Sequence, residues 1–120
     1  MRQFELKRTL FGADVTAQVT VLDEGIHVLL TGGERNHVGA VALAQNGELL
    51  ACPSFPGHKE RVVSEHWALA LSREIGSCAT VACGIHYDNA TAEQISEILH
   101  ICDGLLKETL AAIVREEQTQ

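Results

Sequence analysis

A chain of 120 residues with 46% hydrophobic composition fits a single domain, residues 1–120, with enough apolar side chains to form one core. Its formal net charge of −7 argues against nucleic acid as a partner, because phosphate backbones are held by clustered Lys and Arg. No apolar run approaches the roughly eighteen residues that cross a bilayer, which argues against a membrane. The opening MRQFELKRTLF alternates polar with apolar, unlike a signal peptide, so the expected compartment is the cytoplasm.

The first half of the chain has the two-residue period of half-buried strands. Phe4, Leu6 and Leu10 alternate with Gln3, Glu5, Lys7 and Thr9, and Gly12-Ala13-Asp14 supplies a turn. Val15, Ala17, Val19 and Val21 then alternate with Thr16, Gln18 and Thr20. Asp23-Glu24-Gly25 turns the chain into a third strand, with Ile26, Val28 and Leu30 on one face. Val38 to Ala44 is apolar on both faces and reads as a central strand. Asn46-Gly47 favours the positive φ of a type I′ hairpin turn and leads into a fifth strand over Glu48 to Cys52. Such short connections predict an antiparallel meander.

Beyond Pro53 the period becomes helical. Val63, Trp67, Ala70 and Leu71 predict a helix from about Glu60 to Ile75, with Gly76 as its stop. Thr80 to Ile85 reads as a buried sixth strand. Thr91 opens a second helix through a T-x-x-Q capping box closed by Gln94. Ile95, Ile98, Leu99, Cys102, Leu105, Leu106, Ile113 and Val114 line its inner face. The length of that helix, from about Thr91 to Glu117, points to a homodimer in which part of it meets a second subunit. Gly104, inside it, marks a bend or a close helix contact. The expected architecture is α+β: a mainly antiparallel sheet of five or six strands with two helices packed on one face. Cys52, Cys78, Cys83 and Cys102 lie in apolar stretches without a CxxC pair, which fits buried reduced thiols; a zinc site on Cys78 and Cys83 has only a weak spacing signature.

Polar chemistry is concentrated in three segments, TGGERNH (31–37), PGHKE (56–60) and GIHYDN (84–89). In the first, Gly32-Gly33 lets backbone N–H groups approach a ligand, with Glu34, Arg35 and His37 following at once; the plainer reading is a solvated hairpin with an incidental charge pair. In the second, Gly57 is placed to cap the first helix, leaving free N–H groups beside His58 and Lys59 for an anion; the plainer reading is a simple loop into a helix. The third follows a buried strand and offers His86, Tyr87 and Asp88, while Asn89 reads as a turn former. Of six histidines, His37, His58 and His86 fall beside glycines in these loops. Together they suggest a divalent metal, whereas His27, His66 and His100 suit ordinary packing or a solvated face. A metal would let an acidic chain hold a phosphate. Nucleophilic catalysis lacks a G-x-S-x-G elbow or an electropositive thiol, leaving a small metal-dependent hydrolase or lyase, with Glu34 as acid or base, as the enzymatic alternative.

TGGERNHVGAVAL, PGHKE and GIHYDNAT resemble the three signature segments of the LpdD-like domain family, whose members accompany UbiD-type decarboxylases such as gallate decarboxylase. The resemblance spans nearly the whole chain; GGERNHVGA with GIHYDN is fairly specific, and GHKE alone is weak. Family members often carry Pro at the place of Asn36, a departure that touches loop stiffness more than chemistry. What the resemblance implies is a non-catalytic accessory chaperone for prenylated FMN. Carried over by motif, its cofactor site comprises Gly32, Gly33, Glu34, Arg35, His37, His58, Lys59, His86, Tyr87 and Asp88, and its partner is a UbiD-type decarboxylase.

Overall fold

The structure, a computed structural model, describes residues 1–56 and 60–119, with side chains through residue 115. Six strands and two helices follow in the order β1 (Arg2–Leu10), β2 (Ala13–Val21), β3 (Ile26–Gly33), β4 (Ala40–Gln45), β5 (Glu48–Ala51), α1 (Arg61–Ile75), β6 (Cys78–His86) and α2 (Ala92–Thr119). They form the expected α+β architecture, a mainly antiparallel sheet in the order β1-β2-β3-β6-β4-β5.

The meander is interrupted at one point. β6 inserts between β3 and β4, running parallel to β3 and antiparallel to β4. The physical cause is its composition: Val81, Ala82, Cys83 and Gly84 are all buried, so this strand needs cover on both edges and both faces. The segment from β3 to β4 is therefore no hairpin. It must cross the end of β6, a span of about 10 Å or two interstrand spacings, which accounts for its length.

Strand alternation places Val15, Ala17, Val19, Ile26, Val28, Leu30, Ala42, Ala44, Ala79, Val81 and Cys83 in one buried layer with Trp67 and Leu71 of α1 and Cys102, Leu105, Leu106 and Ile113 of α2. The sheet's other face carries no helix among the described residues. Asn46 and Gly47 both have positive φ, as the hairpin between β4 and β5 requires. The capping box of α2 is also present: the Thr91 N–H donates to Gln94 Oε1 (2.8 Å) and the Gln94 N–H donates to Thr91 Oγ1 (3.2 Å).

Several local expectations are corrected. The first turn is Phe11-Gly12, with Ala13 and Asp14 already paired in β2. The N-cap of α1 is Glu60, and Gly57, expected as the cap, lies outside the described residues. Ile95 and Leu99 are 49% and 47% exposed, because the buried stripe of α2 runs instead through Cys102, Leu105, Leu106 and Ile113 onto its own sheet. A β-carbon at Gly104 would meet nothing within 4 Å, so no close helix contact explains that glycine. All four cysteines are free, but only Cys83 and Cys102 are buried. Cys78 and Cys83, five residues apart on one strand, point to opposite faces and cannot form a common site.

Candidate functional site

β3 and β6 end side by side, with Gly33 opposite His86 at the last rung. The Glu34 N–H donates to the His86 carbonyl (2.9 Å), so the loop after β3 begins against the end of β6. It then passes over β6 until the Gly39 N–H donates to the Cys83 carbonyl (2.9 Å). The crossing is tight enough to require glycine. A β-carbon built at Gly84 would lie 1.8 Å from the His37 carbonyl oxygen; one built at Gly33, where φ is +86°, would lie 1.9 Å from the His86 carbonyl oxygen. A β-carbon at Gly39 would also overlap the Glu60 carboxylate, a side-chain group rather than backbone. Glycines thus bring together the loop after β3, the loop after β6 and the start of α1.

Two imidazole–carboxylate pairs result. His37 Nε2 lies 2.8 Å from Glu60 Oε1, in a partly buried contact, and His86 Nε2 lies 2.7 Å from Asp88 Oδ1. The two rings stand edge to face with centroids 6.4 Å apart. Arg35 Nη2 also approaches His86 Nε2, at 3.1 Å. One nitrogen cannot donate to Asp88 while accepting from Arg35. The shorter contact assigns the Nε2 proton to the Asp88 bond, leaving the guanidinium as a nearby positive charge that helps to lower the Asp88 pKa.

Glu34 closes the arrangement by accepting the Asp88 N–H at Oε2 (3.2 Å). A hydrogen bond between the two carboxyl groups raises the Glu34 pKa and lowers that of Asp88, with His86 further lowering the latter. When the pair holds one proton, Glu34 therefore keeps it and Asp88 is the anion. Tyr87 is anchored differently: its hydroxyl donates to the Ala13 carbonyl (3.2 Å) and its ring meets Phe11 edge to face, centroids 5.6 Å apart. Burial raises the Tyr87 pKa.

The structure thus gathers Gly33, Glu34, Arg35, His37, His86 and Asp88 around one end of the β3–β6 pair. Tyr87 flanks them, while Gly32 lies buried on the core side of β3 against Val15. His58 and Lys59 lie outside the described residues. Among the described residues no group of three or more His, Cys, Asp or Glu side chains is arranged to hold a metal ion. His27 and His66 are engaged elsewhere, with Thr80 (2.6 Å) and Asp103 (3.4 Å) respectively.

The profile of the prenylated flavin chaperone LpdD-like domain matches residues 10–114, a span that includes every loop just described. The chain belongs to this family. Protein LpdD of Lactiplantibacillus plantarum is 25% identical over 105 residues, covering 83% of this chain and 77% of that protein. A chain from the crystal structure of a novel chaperone complex for yeast 20S proteasome assembly has a similar fold, with a TM-score of 0.53 at 18% identity over 97% of this chain and 98% of that one. The chaperone family assigns this LpdD-like chain an accessory role with a protein partner.

Two residues at this LpdD-like site escape a motif reading. Glu60 closes the PGHKE segment yet reads as an ordinary helix-start carboxylate until its contact with His37 is seen. Phe11 belongs to no polar segment; its signal is its place before Gly12, where a two-residue turn forces it to positive φ.

Proposed function

We propose that this protein is a non-catalytic carrier of prenylated FMN that holds the cofactor by its phosphate, assisted by a divalent cation, and supports activation of a UbiD-type decarboxylase. The observation that carries this reading is the family match over residues 10–114. Prenylated FMN supplies the reactive ring in the decarboxylase; the part of this chain is to bind, shield and release it.

The donor set fits such a task in kind. Glu34, Glu60 and Asp88 share the cluster with Arg35, whose guanidinium lies beside His86, so a bare phosphate would face a mostly acidic surface. A divalent cation reverses that field. His37 and His86, each paired with a carboxylate, have the imidazole–carboxylate chemistry that orients metal ligands, and His58 would complete the set. Arg35 and Lys59 would add positive charge toward the phosphate.

The reading includes a homodimer. The buried stripe of α2 is occupied by its own sheet, whereas the helix-free face presents Leu29, Val41 and Leu43 with no charged residue among the outward positions of β3, β6 and β4. Two acidic copies can approach there without like-charge contact. Those three strands, at ~4.8 Å spacing and ~20 Å length, offer roughly 300 Å² per copy, about 600 Å² in a pair, the centre of an interface that the flanking strands would have to extend to reach the range for stable interfaces.

The deciding experiment mixes purified protein with prenylated FMN, follows the flavin spectrum and dissociation constant, then adds apo-decarboxylase and measures activity. More active enzyme than free cofactor yields is expected; no flavin binding, or no gain, defeats the reading. Elemental analysis should find a stoichiometric metal that His37→Ala or His86→Ala reduces with little loss of folding. Sedimentation at micromolar concentration should give twice the 13.0 kDa chain mass. Turnover of a small substrate by this chain alone, abolished by Glu34→Gln, would instead establish a metal-dependent hydrolase or lyase.

A further inference from the structure

The β1–β2 turn is made by Phe11 and Gly12, with φ of 52° and 76°. Such two-residue turns strongly prefer Asn or Asp with Gly, because positive φ pushes a β-carbon toward its own backbone. A bulky aromatic there is an outlier. This chain uses the preferred pair, Asn46-Gly47, at its other hairpin, so the departure at position 11 is local. Core packing does not explain it either, since Phe11 remains 44% exposed. Its described ring contact is edge to face on Tyr87, whose hydroxyl is already tied to Ala13. Tyr87 in turn sits between His86 and Asp88. The strained turn therefore holds an open aromatic ring beside the polar cluster.

We propose that Phe11 is the contact for the planar ring system of the bound ligand, a flat heteroaromatic such as a flavin, while the polar cluster holds its phosphate end. This rests on the flavin reading above and adds a residue that none of the three polar segments contains. Tyr87 becomes the support for Phe11, held in place by its hydroxyl bond to Ala13. Backbone strain retained at a turn where Asn would be easier is expected where the side chain serves a ligand.

The test compares wild type with Phe11→Asn, Phe11→Leu and Phe11→Trp, using prenylated FMN and FMN as probes. Phe11→Asn should raise Tm by roughly 4 °C, by relieving the turn, yet weaken flavin binding roughly five- to ten-fold. Phe11→Leu should keep the strain and lose the stacking, so binding falls without the gain in Tm. Phe11→Trp should bind at least as tightly as wild type and show indole fluorescence quenched by flavin. If wild type binds flavin and Phe11→Asn binds it equally well, Phe11 is no ring contact. A lower Tm for Phe11→Asn would also overturn the inference, since the ring would then be structural. Absence of flavin binding by wild type would overturn this inference and the carrier reading together.

Discussion

Replacing Gly84 with Ala would test whether the loop after β3 is pressed against β6 as the geometry requires. The added β-carbon would lie 1.8 Å from the His37 carbonyl oxygen and 2.4 Å from its carbonyl carbon. Restoring an ordinary 3.4 Å contact needs a displacement of about 1.6 Å, and both neighbours are backbone atoms that no rotamer change removes. Inserting a methyl into a packed site costs ~1–3 kcal/mol. At ~2.1 cal/mol/K per residue, 120 residues give an unfolding entropy of ~0.25 kcal/mol/K, so Tm should fall by roughly 4–12 °C. The displaced segment carries His37, so its 2.8 Å contact with Glu60 should break as well. Thermal denaturation by circular dichroism reads the first effect. A change in the His37 imidazole resonances between wild type and variant, followed by NMR, reads the second. A Gly84→Ala protein with wild-type Tm and an intact His37–Glu60 contact would refute the crossing.

Gly104→Ala should raise stability by ~0.5–1 kcal/mol, because it removes a helix-interior glycine where no neighbour lies within 4 Å; urea denaturation checks it. In a thiol count on native protein, exposed Cys78 should react first and partly buried Cys52 more slowly. Cys83 and Cys102 should react only on unfolding, since burial raises both thiol pKa values, that of Cys102 to about 12. The carboxyl pair has opposite pH signatures. Glu34 is raised from 4.5, so its contribution is complete below that value and lost as pH rises through its folded pKa; Asp88 is lowered from 3.8, so its contribution is present above that value and lost as pH falls through its folded pKa. Their link should therefore be firmest between those two folded values, and Glu34→Gln, with an amide donor in place of the acid proton, should carry it to neutral pH, as carbon-detected NMR titration of Asp88 would report.

Strand periods, the Asn46-Gly47 turn, the Thr91–Gln94 capping box and both helices were legible because each rests on local chemistry. Strand order was less so. Nothing between residues 31 and 40 states that β6, some forty residues later, will occupy the place beside β3; only the two-sided burial of Val81 to Gly84 carries that information, and it identifies a central strand without naming its neighbours. The glycines show the same limit. Gly32-Gly33 reads as an opening toward a ligand, whereas the close approach that Gly33 permits, like that of Gly84, is to the chain's own carbonyls. Glu60 was hidden for a related reason, since a carboxylate at a helix start has an ordinary explanation until a histidine from another loop is placed against it.

The electrostatics of the cluster constrain how a carrier of this kind can work. Arg35 is close to His86 and Asp88, so its charge is already answered within the protein. Glu60 and Asp88 stand beside the two imidazoles, and Glu34 accepts the Asp88 N–H, so three carboxyl groups share the cluster. Among the described residues of the cluster an anion meets little unanswered positive charge, and on the proposed reading Lys59 or a cation held on the imidazoles would supply it. On the proposed reading, affinity for the phosphate then depends on a component that can be removed without unfolding a β-strand or a helix. A deep preformed phosphate cradle would hold the cofactor against any acceptor. A cluster whose native field is mildly repulsive, and which binds through a removable positive charge, can protect the ligand and still give it up.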